Sequence, residues 1–239
     1  MMLKFLLAAT AGLSVAGAAM AQTPPAAPAA PAVVTPPVIQ AARIPPPVVA
    51  ENVWHLDLST GGRVSIQLRA DVAPNHVERI KTLTRQGFYN GLVFHRVIEG
   101  FMAQGGDPLG TGEGESTLPD LAPEFNTLPH LRGAVAMART QDPNSANSQF
   151  YIMLAPRFPL DRNYTVIGRV IAGMQYVDGI NRGEPPANPS KIVRASIGSD
   201  NVPPLPAEEL IAAGQFTPPP APATPDAAAP LGIPSQPPR

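Results

Sequence analysis

The chain has 239 residues, with 17 Lys and Arg against 18 Asp and Glu for a net charge of −1, 32 prolines and no cysteine. Balanced charge without a basic cluster argues against a nucleic-acid surface. The absence of cysteine excludes disulfides, thiol nucleophiles, Cys-ligated metals and a lipid-modified cysteine tether.

Residues 1–21 read as a cleavable secretory signal. Lys4 supplies the positive start, Phe5 to Ala18 form a short apolar run, and Ala19-Met20-Ala21 fits the small-x-small rule, which makes Gln22 the new N-terminus. An uncleaved anchor is the alternative, but the run falls short of the ~20 apolar residues a span needs and is interrupted by Gly12, Ser14 and Gly17. Residues 22–50 and 202–239 form a linker and a tail, and they hold about two thirds of the 32 prolines. Such segments favour extended polyproline II and act as spacers. Pro206 to Phe216 is poorer in proline and can form a short helix.

One domain remains, residues 51–201, long enough to bury a single core. Val53–Leu58 and Arg63–Leu68 alternate apolar and polar residues around Thr60-Gly61-Gly62, the pattern of a β-hairpin. Pro74 opens a helix with Val77, Ile80 and Leu83 at helical spacing and Gly87 at its stop. Strand-like runs follow at Leu92–Val97, Gly133–Ala138, Gln149–Leu154 and Thr165–Val170; a second helix spans Met174–Asn181, and Lys191–Ile197 closes the domain as a strand. Many short strands with two helices predict a closed antiparallel barrel with helical caps.

Three blocks carry the chemistry. The first runs from Val93 to Asp107 and contains Phe94-His95-Arg96 followed by Gly100-Phe101-Met102-Ala103-Gln104-Gly105-Gly106-Asp107. The second joins Arg132-Gly133-Ala134-Val135-Ala136-Met137-Ala138 to Asn147-Ser148-Gln149-Phe150-Tyr151-Ile152, and the third joins Leu160-Asp161 to Tyr164-Thr165-Val166-Ile167-Gly168-Arg169-Val170. In order and spacing they resemble the cyclophilin family of peptidyl-prolyl cis/trans isomerases, across nearly all of residues 51–198. The resemblance implies a mainly β fold, a closed eight-stranded antiparallel β-barrel capped by two α-helices, with neither cofactor nor metal.

It also implies roles. Arg96 matches the catalytic arginine, and Gln104 the glutamine that orients it and contacts substrate backbone. Phe101, Met102, Tyr151 and Leu160 match the lining of the proline pocket. Ala138, Arg139 and Gln149 match the segment holding the substrate backbone, Gly110 a rim glycine, and Tyr164 the pocket histidine of many relatives. The chain departs from the pattern in having Pro159, beside Phe158, where a tryptophan supports cyclosporin binding, so weak inhibitor binding is expected. Arg139 replaces an asparagine, which adds a charge that would favour acidic flanking residues. Tyr151 replaces a common phenylalanine and brings a hydroxyl that needs a partner.

These residue types suit the reaction. Rotation about an X-Pro bond faces a barrier of ~18–20 kcal/mol and breaks no covalent bond, so neither nucleophile nor metal is required. Twisting localises a lone pair on the prolyl nitrogen, and a fixed guanidinium can donate to it. Uncatalysed isomerisation takes tens to hundreds of seconds, slow enough to limit folding outside the cytoplasm. The expected partners are proline-containing unfolded or partly folded polypeptides, met by a monomer in the periplasm or outside the cell. A non-catalytic chaperone-like module holding X-Pro segments is the competing reading. Gly110-Thr111-Gly112-Glu113-Gly114 lacks the Lys-Ser/Thr ending of a phosphate loop and carries acidic residues, so it reads as a flexible loop beside the pocket. His55, His76, His95 and His130 have no metal-ligand spacing; His95 reads as a packed or hydrogen-bonded strand residue beside Arg96.

Overall fold

The computed structural model describes residues 46–215. The signal-like residues 1–21, the linker up to residue 45 and the tail beyond residue 215 lie outside the described residues. Strands β1 (Val53–Leu58) and β2 (Gly62–Leu68) form the expected hairpin, with Leu58 opposite Gly62 and Val53 opposite Gln67. Trp54, Leu56 and Leu58 face inward with Val64, Ile66 and Leu68, all fully buried. Asp57 breaks the alternation: it is buried as well, because Arg63 on β2 and Arg194, far along the chain, meet its carboxylate at 2.7 and 2.9 Å.

Helix α1 (Pro74–Arg85) begins with proline in its first turn and buries Val77, Ile80 and Leu83. Its end is set by Gly87, whose φ of 72° lies in the left-handed region that side chains with a Cβ avoid. Then come β3 (Arg96–Ile98), β4 (Met102–Gly105), β5 (Ala134–Met137), β6 (Phe150–Met153), β7 (Val166–Ala172), α2 (Met174–Asp178), β8 (Ile192–Ile197) and α3 (Ala207–Gly214).

The eight strands among the described residues make one sheet in the order β3-β4-β6-β5-β7-β2-β1-β8, every pairing antiparallel. The expected closed barrel is corrected to an open half-barrel, since β3 and β8 end the sheet and share no ladder. An isolated bridge, Val93 to Lys191, links the segments ahead of them. The approach to β8 carries Pro185, Pro186 and Pro189, which have no N–H to give a ladder. The run Leu92–Val97 is corrected too: the strand starts at Arg96 and turns at Gly100 into β4, which alternation did not reveal. Among the described residues two caps become three helices, for α3 forms in the tail and buries Leu210 completely.

Strands β5 and β6 are buried at every position, so both faces of the sheet are covered there. Val135, Met137, Phe150 and Ile152 belong to the main core with Trp54, whose ring meets Phe150 edge-on at 4.8 Å. Ala134, Ala136, Tyr151 and Met153 point the other way, into a smaller cluster with Met102 and Val166. The period of two along each strand makes this division. The candidate site lies on the smaller cluster.

Candidate active site

One row across the sheet sets the frame. Arg96 on β3 pairs with Gln104 on β4, Gln104 with Tyr151 on β6, and Tyr151 with Ala136 on β5. Directly opposed residues share a face, so these side chains emerge together. Met102 precedes Gln104 by two residues and shares that face. The strand pairings thus place a guanidinium, an amide, a phenol and a thioether side by side.

The slot they border holds about 130 Å³. Its walls are Phe101, Met102, Ala138, Tyr151, Leu160 and Tyr164, with Arg96, Gln104 and Arg139 at the polar edge. Nine of the eleven residues singled out in the sequence therefore line one cavity. The other two sit next door. Gln149 lies in a recess of about 270 Å³ that also contains Arg139, Glu113 and Glu115. Gly110 borders a third space of about 630 Å³, on which Arg96 also opens. Gln104 and Arg139 line all three.

The polar edge is wired in a way the resemblance did not imply. Gln104 donates to Oε1 of Gln149 at 2.9 Å, and Gln149 in turn donates to the carbonyls of Gly112 and Gly114, both at 2.9 Å. Among the described residues, the single hydrogen bond of the Arg96 side chain runs from Nε to Oε2 of Glu184, at 2.7 Å. Its orientation by Gln104 is therefore not among the hydrogen bonds. Glu184 escaped the sequence reading because it lies 88 residues downstream in a loop without periodicity.

The glycine-rich loop is organised rather than loose. The buried Asp107 carboxylate accepts from the backbone N–H groups of Leu109, Thr111 and Gly112 at 2.7, 2.9 and 2.5 Å. Burial raises the pKa of that carboxyl, but the backbone donors outweigh it and leave it below the ordinary value. With those donors consumed, no cradle remains for phosphate. Gly106 permits this turn: its φ is 88°, and a Cβ there would meet the Ser148 carbonyl oxygen at 2.5 Å.

The aromatic walls are held from behind. His130, fully buried, approaches Asp161 with Nδ1 at 2.8 Å and the Tyr151 hydroxyl with Nε2 at 3.1 Å. Burial lowers the His130 pKa despite the opposing pull of Asp161, which favours neutral imidazole. A carboxylate only accepts, so Nδ1 carries the proton, Nε2 accepts, and Tyr151 donates. The Arg139 guanidinium lies 4.5 Å over the Tyr164 ring and donates to the carbonyls of Thr140 and Asn163 at 2.8 and 2.9 Å. Arg157, which the sequence reading did not single out, sits 5.4 Å over Phe101. His95 is packed against the loop at 5 % exposure but hydrogen-bonded at neither ring nitrogen, and it precedes β3 rather than lying in it.

The site is therefore an apolar slot with an arginine at its edge, set on one face of an open antiparallel half-barrel. Residues 55–197 match the family model "Cyclophilin type peptidyl-prolyl cis-trans isomerase/CLD". A probable peptidyl-prolyl cis-trans isomerase of Brucella suis is 47% identical over 166 residues, which cover 63% of this chain and 84% of that one. The crystal structure of cyclophilin AquaCyp293 from Hirschia baltica superposes with a TM-score of 0.60 at 32% identity, covering 65% of this chain and 77% of that one. A cyclophilin type isomerase from Cryptosporidium parvum, crystallised in the presence of the dipeptide Ala-Pro, gives 0.57 at 26% identity and covers 61% and 98%. The chain belongs to the cyclophilin type peptidyl-prolyl cis-trans isomerases, and prolyl isomerisation is its activity.

Proposed function

We propose that this isomerase works on exported polypeptides outside the cytoplasm, taking the substrate proline ring into the slot of Phe101, Met102, Tyr151 and Leu160 while Arg96 donates to the prolyl nitrogen. The carrying observation is the single row that sets Arg96 beside that slot, with Gln104 and Tyr151 as its neighbours. The ring is desolvated in the slot, and the twisted amide is met by a fixed donor at its rim. A thousandfold acceleration needs about 4 kcal/mol of preferential transition-state binding, within reach of one charged donor at the rim of an apolar slot. The Ala-Pro of the Cryptosporidium crystal supports proline-containing peptides as substrates.

Export rests on the signal-like residues 1–21; among the described residues no helix is long and apolar enough to cross a membrane. N-terminal sequencing of the protein from a periplasmic or culture-medium fraction should read from Gln22, and recovery only in the cytoplasm with Met1 intact would remove the export reading. The catalytic assignment is tested by protease-coupled isomerisation of an X-Pro peptide. Arg96→Ala should lower kcat/KM by about a hundredfold, and full activity in that variant would refute the donor role.

A further inference from the structure

We propose that Glu184 is a positioning residue for this reaction: its carboxylate fixes the Arg96 guanidinium through Nε, from the side away from the proline slot, and leaves both Nη groups available to the twisting amide. The inference rests on Arg96 being the donor. Three observations carry it.

The first is the contact itself, Nε to Oε2 at 2.7 Å, the single hydrogen bond of that side chain among the described residues. Gln104, the other candidate for the task, gives its amide to Gln149. The second is where the partners lie. Arg96 borders both the slot and the larger recess of about 630 Å³, whereas Glu184 borders the recess and not the slot. The carboxylate therefore holds the arginine without occupying the space a proline would enter.

The third is that the backbone dictates the placement. Val97 and Gly183 exchange N–H···O bonds of 2.8 and 2.9 Å in an antiparallel bridge, which sets Arg96 directly across from Glu184. On the far side of the bridge, Arg182 pairs with Glu99 at 2.5 Å. Gly183 itself has a φ of 144°, and a Cβ there would meet Cα of Pro186 at 2.6 Å. The loop is thus seated on the flank of β3 before any side chain is considered.

A pair with exposures of 42% and 50% adds little to folding stability. Its effect belongs to catalysis. Arginine is long and rotamer-rich, and a donor that is already oriented need not be ordered at the transition state.

The test uses the full chain in the coupled assay, with Glu184→Ala, Glu184→Gln and Glu184→Asp. Glu184→Ala should lower kcat/KM about fivefold, the ceiling for a half-exposed pair, and the loss should fall in kcat with KM unchanged. Glu184→Gln should lose less, Glu184→Asp should restore part, and the thermal midpoint should stay in place. Raising salt should erode wild-type activity towards that of Glu184→Ala, because such a pair is screened, while the variant itself responds little. In an Arg96→Lys background, which has no Nε, Glu184→Gln should have no further effect. An active wild type together with unchanged or raised kcat in Glu184→Ala would overturn the role of Glu184 alone. A wild type without acceleration over the buffer rate would overturn the isomerase reading and this inference with it.

Discussion

At Tyr151 a phenol stands where the resemblance offered a phenylalanine, and the structure supplies its partner in His130. Replacing Tyr151 by Phe keeps the slot wall but leaves a buried imidazole nitrogen unpaired. The expected cost is about 1 kcal/mol of stability, read as a lower urea midpoint, with kcat/KM little changed. That a buried hydroxyl would need a partner was legible in the sequence. The partner was not, because His130 and Asp161 reach Tyr151 only through the folded sheet. Arg139 repeats the pattern. Its charge was legible, but its company was not: the recess it lines also contains Glu113 and Glu115, which offset the expected pull on acidic residues. Arg139→Asn leaves those two carboxylates without that cation, so the ratio of kcat/KM for Lys-flanked over Glu-flanked X-Pro peptides should rise several-fold, and an unchanged ratio would place that recess outside the substrate path.

Among the elements, the row Arg63–Asp57–Arg194 joins β2, β1 and β8 as direct cross-strand neighbours. Burial raises the Asp57 pKa, yet the two guanidiniums outweigh it and hold it below the ordinary carboxylate value. Asp57→Asn leaves both arginines facing an amide. It should cost ~3 kcal/mol, seen in urea unfolding at neutral pH, and the gap to wild type should narrow as the solution is acidified below pH ~4. The hairpin and α1 were readable because alternation and helical spacing each persist for six residues or more. The short strands β3 and β4, with three and four residues, are below the length at which a period declares itself. Gly100, with a φ of 66°, makes the turn between them. Their order in the motif was recognisable even though their boundaries were not.

For the whole molecule, the open seam between β3 and β8 was not legible, since it depends on two segments far apart in sequence that approach through two isolated bridges, Val93 to Lys191 and Val97 to Gly183. The chain beyond the last strand is held by Arg63 and Arg194, which donate to the carbonyls of Val202 and Pro203, and by Leu210 on α3. The molecule's response to pH follows from groups distributed across it. Burial lowers the pKa of His55, His95 and His130. The unfolded chain therefore takes up protons first as pH falls below about 6.5, and stability present above that value is lost. Glu51 is lowered to about 2 by Ser199 and Arg85, and with Asp57, Asp107 and Glu124 also lowered a second loss should begin below pH ~4. Burial raises the pKa of Tyr89 and Tyr151, so stability present below pH ~10 is lost above it. Urea midpoints measured from pH 3 to 11 should trace a plateau from about 7 to 9, and a continuous rise towards acid would contradict these directions.

The two-sided burial of β5 and β6 makes the sheet a partition between separate apolar compartments. Substitutions at Met102, Tyr151 or Ala136 should therefore reshape the smaller cluster with little effect on Phe150, Ile152 or Val135 on the opposite face. Changes on the two sides that lie more than ~7–10 Å apart and share no partner should combine almost as a simple sum in stability, so the slot can change without first rebuilding the scaffold.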